Sequence, residues 1–96
     1  MAGDRAVHVR ISGRVQGVWF RAWTVDLAND FGLDGWVRNR ADGTVEALFA
    51  GPVPQVEKMI AHCHEGLPAA RVDEVVREDA DHQPHTGKGF RQLPTE

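Results

Sequence analysis

Apolar and polar positions alternate in the first part of the chain. Val7, Val9 and Ile11 fall on one side, and polar residues stand between them. A period of two is typical of a strand that buries one face. The pattern therefore predicts a first strand from about Val7 to Gly13, with its apolar side turned to the core.

Two later stretches show the spacing of helices. The first is predicted from about Arg21 to Phe31 and ends at Gly32, a residue suited to a helix C-terminus. The second follows Gly51-Pro52-Val53-Pro54, since proline is tolerated in a first turn, and ends at Gly66. The apolar stripe of the first helix consists of Phe20, Thr24, Leu27, Ala28 and Phe31, and that of the second of Val53, Val56, Met59, Ile60 and Cys63.

The segment between the two helices reads as a hairpin. A strand from Leu33 to Arg40 is followed by Ala41-Asp42-Gly43-Thr44 and by a returning alternating run that begins at Val45. Asp-Gly between two such runs is a strong hairpin signal, so we interpret Asp42 as a turn residue. Glu46 faces away from the apolar side and is expected to pair with an arginine across the hairpin.

The last third of the chain predicts two further strands. Arg71 to Asp79 breaks its alternation at Val75, which favours a bulge or an edge strand. A polar loop follows, and a short strand from Phe90 to Leu93 is stopped by Pro94. The order predicts an α+β fold, a ferredoxin-like βαββαβ sandwich whose antiparallel sheet carries two helices on one face. We expect one domain over residues 1–96, with an ordered core of about residues 6–93.

Composition narrows the classes of protein that fit. The chain is 42% hydrophobic and 26% charged, with a net charge of −3. This mild acidity argues against a nucleic-acid partner. No apolar run approaches the ~20 residues needed to span a bilayer, so no membrane association is expected. Without an apolar leader, and with Cys63 as the one cysteine, the chain is predicted to be cytoplasmic.

Histidines near the single cysteine do not predict a metal site. His62, Cys63 and His64 are consecutive, and neighbours on a helix point about 100° apart, so the three cannot converge on one ion. His82 and His85 lack evident partners. We therefore expect neither a metal ion nor another cofactor.

The candidate chemistry lies between the first strand and the first helix. Ser12 to Arg21 reads S-G-R-V-Q-G-V-W-F-R. A glycine loop before a helix can point several N–H groups inward, and Arg21 adds a charged fork for phosphate. The nucleotide P-loop and the dinucleotide fingerprint do not fit. The loop predicts an oxyanion cradle; a glycine turn with a surface arginine is the alternative. Trp19 and Trp23 either contact a substrate or cover a sheet edge.

Two blocks together resemble the acylphosphatase family. They are G-R-V-Q-G-V-W-F-R from Gly13 to Arg21 and G-W-V-R-N-R-A-D-G-T-V-E from Gly35 to Glu46. The resemblance implies metal-independent hydrolysis of acyl phosphates to a carboxylate and inorganic phosphate. It also implies that Arg21 binds phosphate and stabilises the transition state, and that Asn39 holds the attacking water. The loop backbone that would cradle the phosphate consists of Val15, Gln16, Gly17, Val18, Trp19 and Phe20.

The implied reaction agrees with the residues available. A carboxylate leaving group has a pKa of around 4 and departs without a general acid, so positioning and charge stabilisation suffice. The expected partner is a small acyl phosphate substrate. Inorganic phosphate, sulfate or chloride could also occupy the loop. The protein is expected to be a monomer. A non-catalytic anion-binding module and a nucleic-acid-binding ferredoxin-like module remain as alternatives. Two alternatives also remain for single residues: Arg21 could form an ion pair with Asp26 or Asp30, and Asn39 could support the hairpin turn.

Overall fold

The alternating and helical patterns form five strands and two helices in the computed structural model, which describes residues 4–81 and 87–96. His82 and His85 lie outside these ranges. The elements are β1 (Asp4–Arg14), α1 (Phe20–Asp30), β2 (Asp34–Asn39), β3 (Val45–Pro52), α2 (Val53–Glu65), β4 (Arg71–Ala80) and β5 (Phe90–Gln92).

The strands form one sheet in the order β4-β1-β3-β2-β5. The pairs β4–β1, β1–β3 and β3–β2 are antiparallel, and β5 runs parallel to β2. The four longer strands confirm the predicted split β-α-β order. The short last strand extends that sheet beyond β2 as a parallel fifth member.

Both helices pack on the same face of the sheet. The buried side of β1, with Val7, Val9 and Ile11, shares one core cluster with Phe20 of α1 and Met59 of α2. Cys63 belongs to this cluster, and burial raises the pKa of its thiol to about 12. The thiol is therefore part of the packing, as its place in the apolar stripe predicted.

The opposite face of the sheet carries the charged side of the hairpin. Glu46 is largely buried there and accepts hydrogen bonds from Arg38 and Arg40, with a third contact to His8. Burial by itself raises the pKa of Glu46, but the hydrogen bonds from His8 and Arg38 and their charges outweigh it, and the net direction is downward. The expected cross-hairpin pairing of Glu46 with an arginine is confirmed.

Gly13 is required for the packing of two strands. Opposite it, β4 contains a bulge, because Ser12 pairs with Glu74 and Gly13 pairs with Val72. A Cβ on Gly13 would lie 2.2 Å from the carbonyl oxygen of Arg71, and its φ is +123°. Gly13 therefore lets β1 approach the edge strand closely, a role that the sequence alone attributed to the anion loop.

Neither helix of the described residues is long and apolar enough to cross a membrane.

Candidate active site

In the connection between β1 and α1, the sign of the backbone angle φ alternates from residue to residue. Gly17 has φ +73° and Trp19 has φ +69°. Trp19 is the one non-glycine residue with positive φ in residues 4–81 and 87–96, so Gln16 and Val18 have negative φ. Alternation of this kind turns successive N–H groups towards the same side and forms a concave nest for anions.

The N–H groups of this loop have no competing acceptors. In the part of the chain that the structure describes, none from residue 15 to residue 19 donates to another protein group. The loop leads directly into α1, whose first turn adds further unpaired N–H groups and the positive end of the helix dipole. That turn contains no acidic residue, and Trp19 supplies no side-chain cap. The cradle therefore keeps its donors and its positive potential.

A cleft of about 310 Å³ opens over the loop. Its walls come from the loop and first turn of α1 on one side, and from the ends of β2 and β5 on the other. The predicted pair Arg21 and Asn39 line the same cleft. The complete lining is Val15, Gly17, Trp19, Phe20, Arg21, Ala22, Asn39 and Gln92.

Arg21 is a partly buried cation without a carboxylate partner among the described residues. The alternative of an ion pair with Asp26 or Asp30 is therefore wrong. A guanidinium without a carboxylate partner in the described residues, beside a nest of N–H donors, has the chemistry to bind an anion with more than one negative charge.

Asn39 is the last residue of β2 and is buried at the cleft. Its Oδ1 is buried and accepts no hydrogen bond, whereas its backbone carbonyl accepts one from the N–H of Glu96. The Oδ1 atom is thus not used to support the hairpin turn. The terminal torsion of asparagine is broad and roughly two-fold, so a half-turn about it exchanges the oxygen and the nitrogen that face a molecule in the cleft.

Gln16 has a role that the sequence did not indicate. Its Nε2 donates to the carbonyl oxygens of Arg40 and Thr44, each at 2.8 Å. These two carbonyls flank the hairpin turn just after Asn39. The amide therefore links the β1–α1 loop to the strand end that carries Asn39, and the Gln16 side chain does not line the cleft.

Of the other residues in the predicted cradle, some line the cleft and some are buried in the core. Val18 is buried in the main cluster, so only its backbone is available to a ligand. Ala22 and Gln92 line the cleft and were missed, because neither residue has a local signal and the fold alone brings β5 beside the loop.

The two tryptophans have different environments. Trp23 is partly buried and packs edge to face on Phe20, with ring centroids 5.2 Å apart. Trp23 therefore packs against the main core cluster and does not line the cleft. Trp19 is 80% exposed and lies in the wall of the cleft.

The histidines and the cysteine within the described residues do not form a metal centre. In residues 4–81 and 87–96, no group of three or more His, Cys, Asp or Glu side chains is placed to hold a metal ion. His62 and His64 are exposed on α2 while Cys63 points into the core. Of the described residues that line the cleft, Arg21 is the one that carries a positive charge.

These features define an α+β protein whose first strand and first helix are joined by a loop with exposed, inward-turned N–H groups. Comparison with known proteins identifies its family. The family model for acylphosphatase matches residues 7–92. An acylphosphatase of Rhizorhabdus wittichii is 58% identical over 91 residues, which cover 95% of this chain and 88% of that protein. One of Rhodospirillum rubrum is also 58% identical, over 91% of this chain and 93% of that protein.

Solved structures agree with the sequence comparison. The structure of an acylphosphatase from Coxiella burnetii superposes with a TM-score of 0.87 at 32% identity, and the match covers 94% of this chain and 93% of that one. The chain belongs to the acylphosphatase family. The resemblance carried by its two sequence blocks is thereby confirmed.

Proposed function

We propose that this protein hydrolyses small acyl phosphates in the cleft between the β1–α1 loop and the end of β2. One observation carries the proposal: a nest of unpaired N–H groups, an unpaired arginine and a buried asparagine line the same cleft. A dianionic phosphoryl group matches the first two in charge and geometry. The third supplies a polar group beside it that can hold a water molecule.

Each part of the site has a separate role in the proposed reaction. The amides of residues 15–20 bind the phosphoryl oxygens, and Arg21 stabilises the charge that builds up on them in the transition state. Asn39 orients a water molecule for in-line attack on phosphorus. It acts by hydrogen bonding alone, because a carboxamide does not usefully accept the water's proton.

The bond changes balance without a further reagent. The oxygen of water forms a bond to phosphorus as the bond between phosphorus and the acyl oxygen breaks. The electron pair of that bond leaves with the carboxylate, whose pKa of around 4 makes protonation unnecessary. Both hydrogens of the water finish on inorganic phosphate. The products are a carboxylate and phosphate, and we propose that neither a metal ion nor another cofactor takes part.

The same arrangement supports narrower proposals about partners. Inorganic phosphate, sulfate and chloride are anions that fit the loop and should compete with substrate. We also propose that residues 1–96 act as one domain, and that the protein works as a cytoplasmic monomer without a nucleic-acid partner. The net charge of −3 supports the last point, since nucleic-acid binding relies on a basic surface.

The deciding experiment is hydrolysis of benzoyl phosphate by the purified protein with and without a chelator. We expect equal turnover in both samples, and competitive inhibition by inorganic phosphate. Phosphate binding in a calorimeter without any turnover would instead identify an anion-binding module. Turnover that is lost with chelator and restored by a divalent ion would contradict the metal-independent mechanism.

A further inference from the structure

Trp19 combines two unfavourable properties in one residue. Its backbone is left-handed, with φ +69° and ψ +18°, a conformation that is unfavourable for residues other than glycine. Its indole is also 80% exposed, so the largest apolar side chain contributes little to the core. Strained residues that persist are concentrated at functional sites.

The contacts that residue 19 makes within the fold do not require an indole side chain. The Trp19 carbonyl accepts the N–H of Trp23 at 3.1 Å, and any residue supplies a carbonyl. The side chain does not cap α1. Its ring also makes no stacking contact with an aromatic side chain of residues 4–81 and 87–96. The part of Trp19 that remains unexplained is the ring itself.

The position of the ring suggests what it contacts. Trp19 stands on the loop wall of the cleft, next to Arg21, whereas Asn39 stands on the sheet wall. In an in-line displacement the attacking and leaving oxygens lie on opposite sides of phosphorus. With water held at the sheet wall, the acyl group leaves on another side of the phosphoryl group, where the loop wall offers an exposed flat surface.

We propose that the Trp19 indole is a platform for the acyl group and makes the enzyme selective for acyl phosphates with a flat, apolar acyl group. The inference rests on the proposed function of the same cleft. Contact between two aromatic rings is favourable beyond the area that it buries. We therefore expect discrimination between benzoyl and acetyl groups of roughly three- to tenfold from this residue.

The test compares benzoyl phosphate with acetyl phosphate in three variants. Trp19→Gly removes the ring and retains a residue suited to positive φ, and Trp19→Phe retains a flat ring. Trp23→Phe is the matched control, because Trp23 is one helical turn away and does not line the cleft. We expect the ratio of kcat/KM for benzoyl over acetyl phosphate to fall roughly three- to tenfold in Trp19→Gly and to stay close to the original value in the other two.

A second measurement separates this inference from the proposed function. Benzoylphosphonate and acetylphosphonate keep the acyl and phosphoryl groups but cannot be hydrolysed, so calorimetry gives their affinities even if turnover is absent. We expect Trp19→Gly to lose affinity for the benzoyl compound more than for the acetyl compound. Equal losses for both compounds, or unchanged ratios in both experiments, would overturn the platform. Absence of turnover with an intact affinity preference would contradict the proposed reaction alone.

Discussion

Arg21 is a cation that the fold leaves without a carboxylate partner in its described part, although the protein as a whole is acidic. The two arginines of the hairpin, Arg38 and Arg40, contact Glu46 on the far face of the sheet. The positive charge that Arg21 brings to the cleft is therefore local and does not come from the surface as a whole.

Arg21→Ala should raise the inhibition constant for inorganic phosphate and lower kcat by about 10²–10³, since one preorganised charged donor is removed. Arg21→Lys should recover only part of the loss, because an ammonium group lacks the two-pronged fork. Steady-state kinetics with phosphate as inhibitor measures both effects. Arg91→Ala, at an exposed arginine of β5, is the control and should behave like the unaltered protein. A fully active Arg21→Ala would refute the assigned role.

Asn39→Ala should separate binding from turnover. We expect kcat to fall by about 10²–10³ while the inhibition constant for phosphate stays within a few fold, because the water loses its partner but the cradle remains. Asn29→Ala, on the exposed side of α1, provides the comparison. If Asn39→Ala keeps its full kcat, another group holds the water.

At the scale of elements, the site depends on how the loop is joined to the hairpin. The loop and the turn are far apart in sequence, and the Gln16 amide links them through two hydrogen bonds of 2.8 Å. The distance between the phosphate cradle and Asn39 is thus set by a side chain that lies outside the cleft. Gln16 is a positioning residue.

Gln16→Glu should weaken both stability and catalysis. The carboxylate has the same size but would face two carbonyl oxygens, so the free energy of unfolding should fall by about 1–3 kcal/mol. Urea denaturation measures this change, and kcat should fall in the same variant. Gln92→Glu also adds a carboxylate near the loop but breaks no hydrogen bond of the hairpin. A loss of stability of equal size in Gln92→Glu would show that charge, and not the lost link, is responsible.

The positions of the strands and helices could be predicted from local patterns, but not every pairing of the strands could. Alternation and helical spacing located β1, α1, the hairpin and α2, because each has apolar residues at a regular spacing. The short β5 was located between the polar loop and Pro94, but it lacks alternation and gave no sign of its parallel pairing with β2. It is held by contacts from elsewhere: the Asp34 carboxylate accepts the N–H groups of Gly87 and Gly89, and the N–H of Gly35 donates to Gly89.

Some residues of the candidate site could likewise be identified from the sequence, and others could not. Arg21, Asn39 and the glycine loop could be identified because their residue types stand in recognisable blocks. Gln92 could not, since its place in the cleft follows from the parallel pairing of β5 with β2. The hydrogen bonds of Gln16 could not be predicted either, because a glutamine between a buried valine and a glycine does not show which way its side chain points.

At the scale of the whole molecule, Glu46 makes stability depend on pH. Its pKa lies below the ordinary value of 4.5 in the folded protein. The ionised carboxylate therefore stabilises the native state above about pH 4.5, and this contribution is lost as the pH falls through the lowered pKa. The groups that surround it are His8, Arg38 and Arg40.

Glu46→Gln should accordingly be less stable than the unaltered protein at pH 7 by about 1–3 kcal/mol, and the difference should shrink towards pH 3. Thermal unfolding at a series of pH values provides the measurement. Glu74→Gln changes an exposed carboxylate of β4 and should leave the profile nearly unchanged. A stability difference that stays constant from pH 7 to pH 3 would show that ionisation of Glu46 does not contribute.

Because Cys63 is buried in the core, its reaction with a thiol reagent can be used to measure conformational opening of the protein. A thiol with a pKa of about 12 in the main core is not attacked by an alkylating or disulfide reagent while the fold is closed. With one cysteine in the chain, the labelling rate measures all openings that expose this one position. An anion that occupies the cleft should slow that labelling, so ligand binding can be followed with neither turnover nor an added probe.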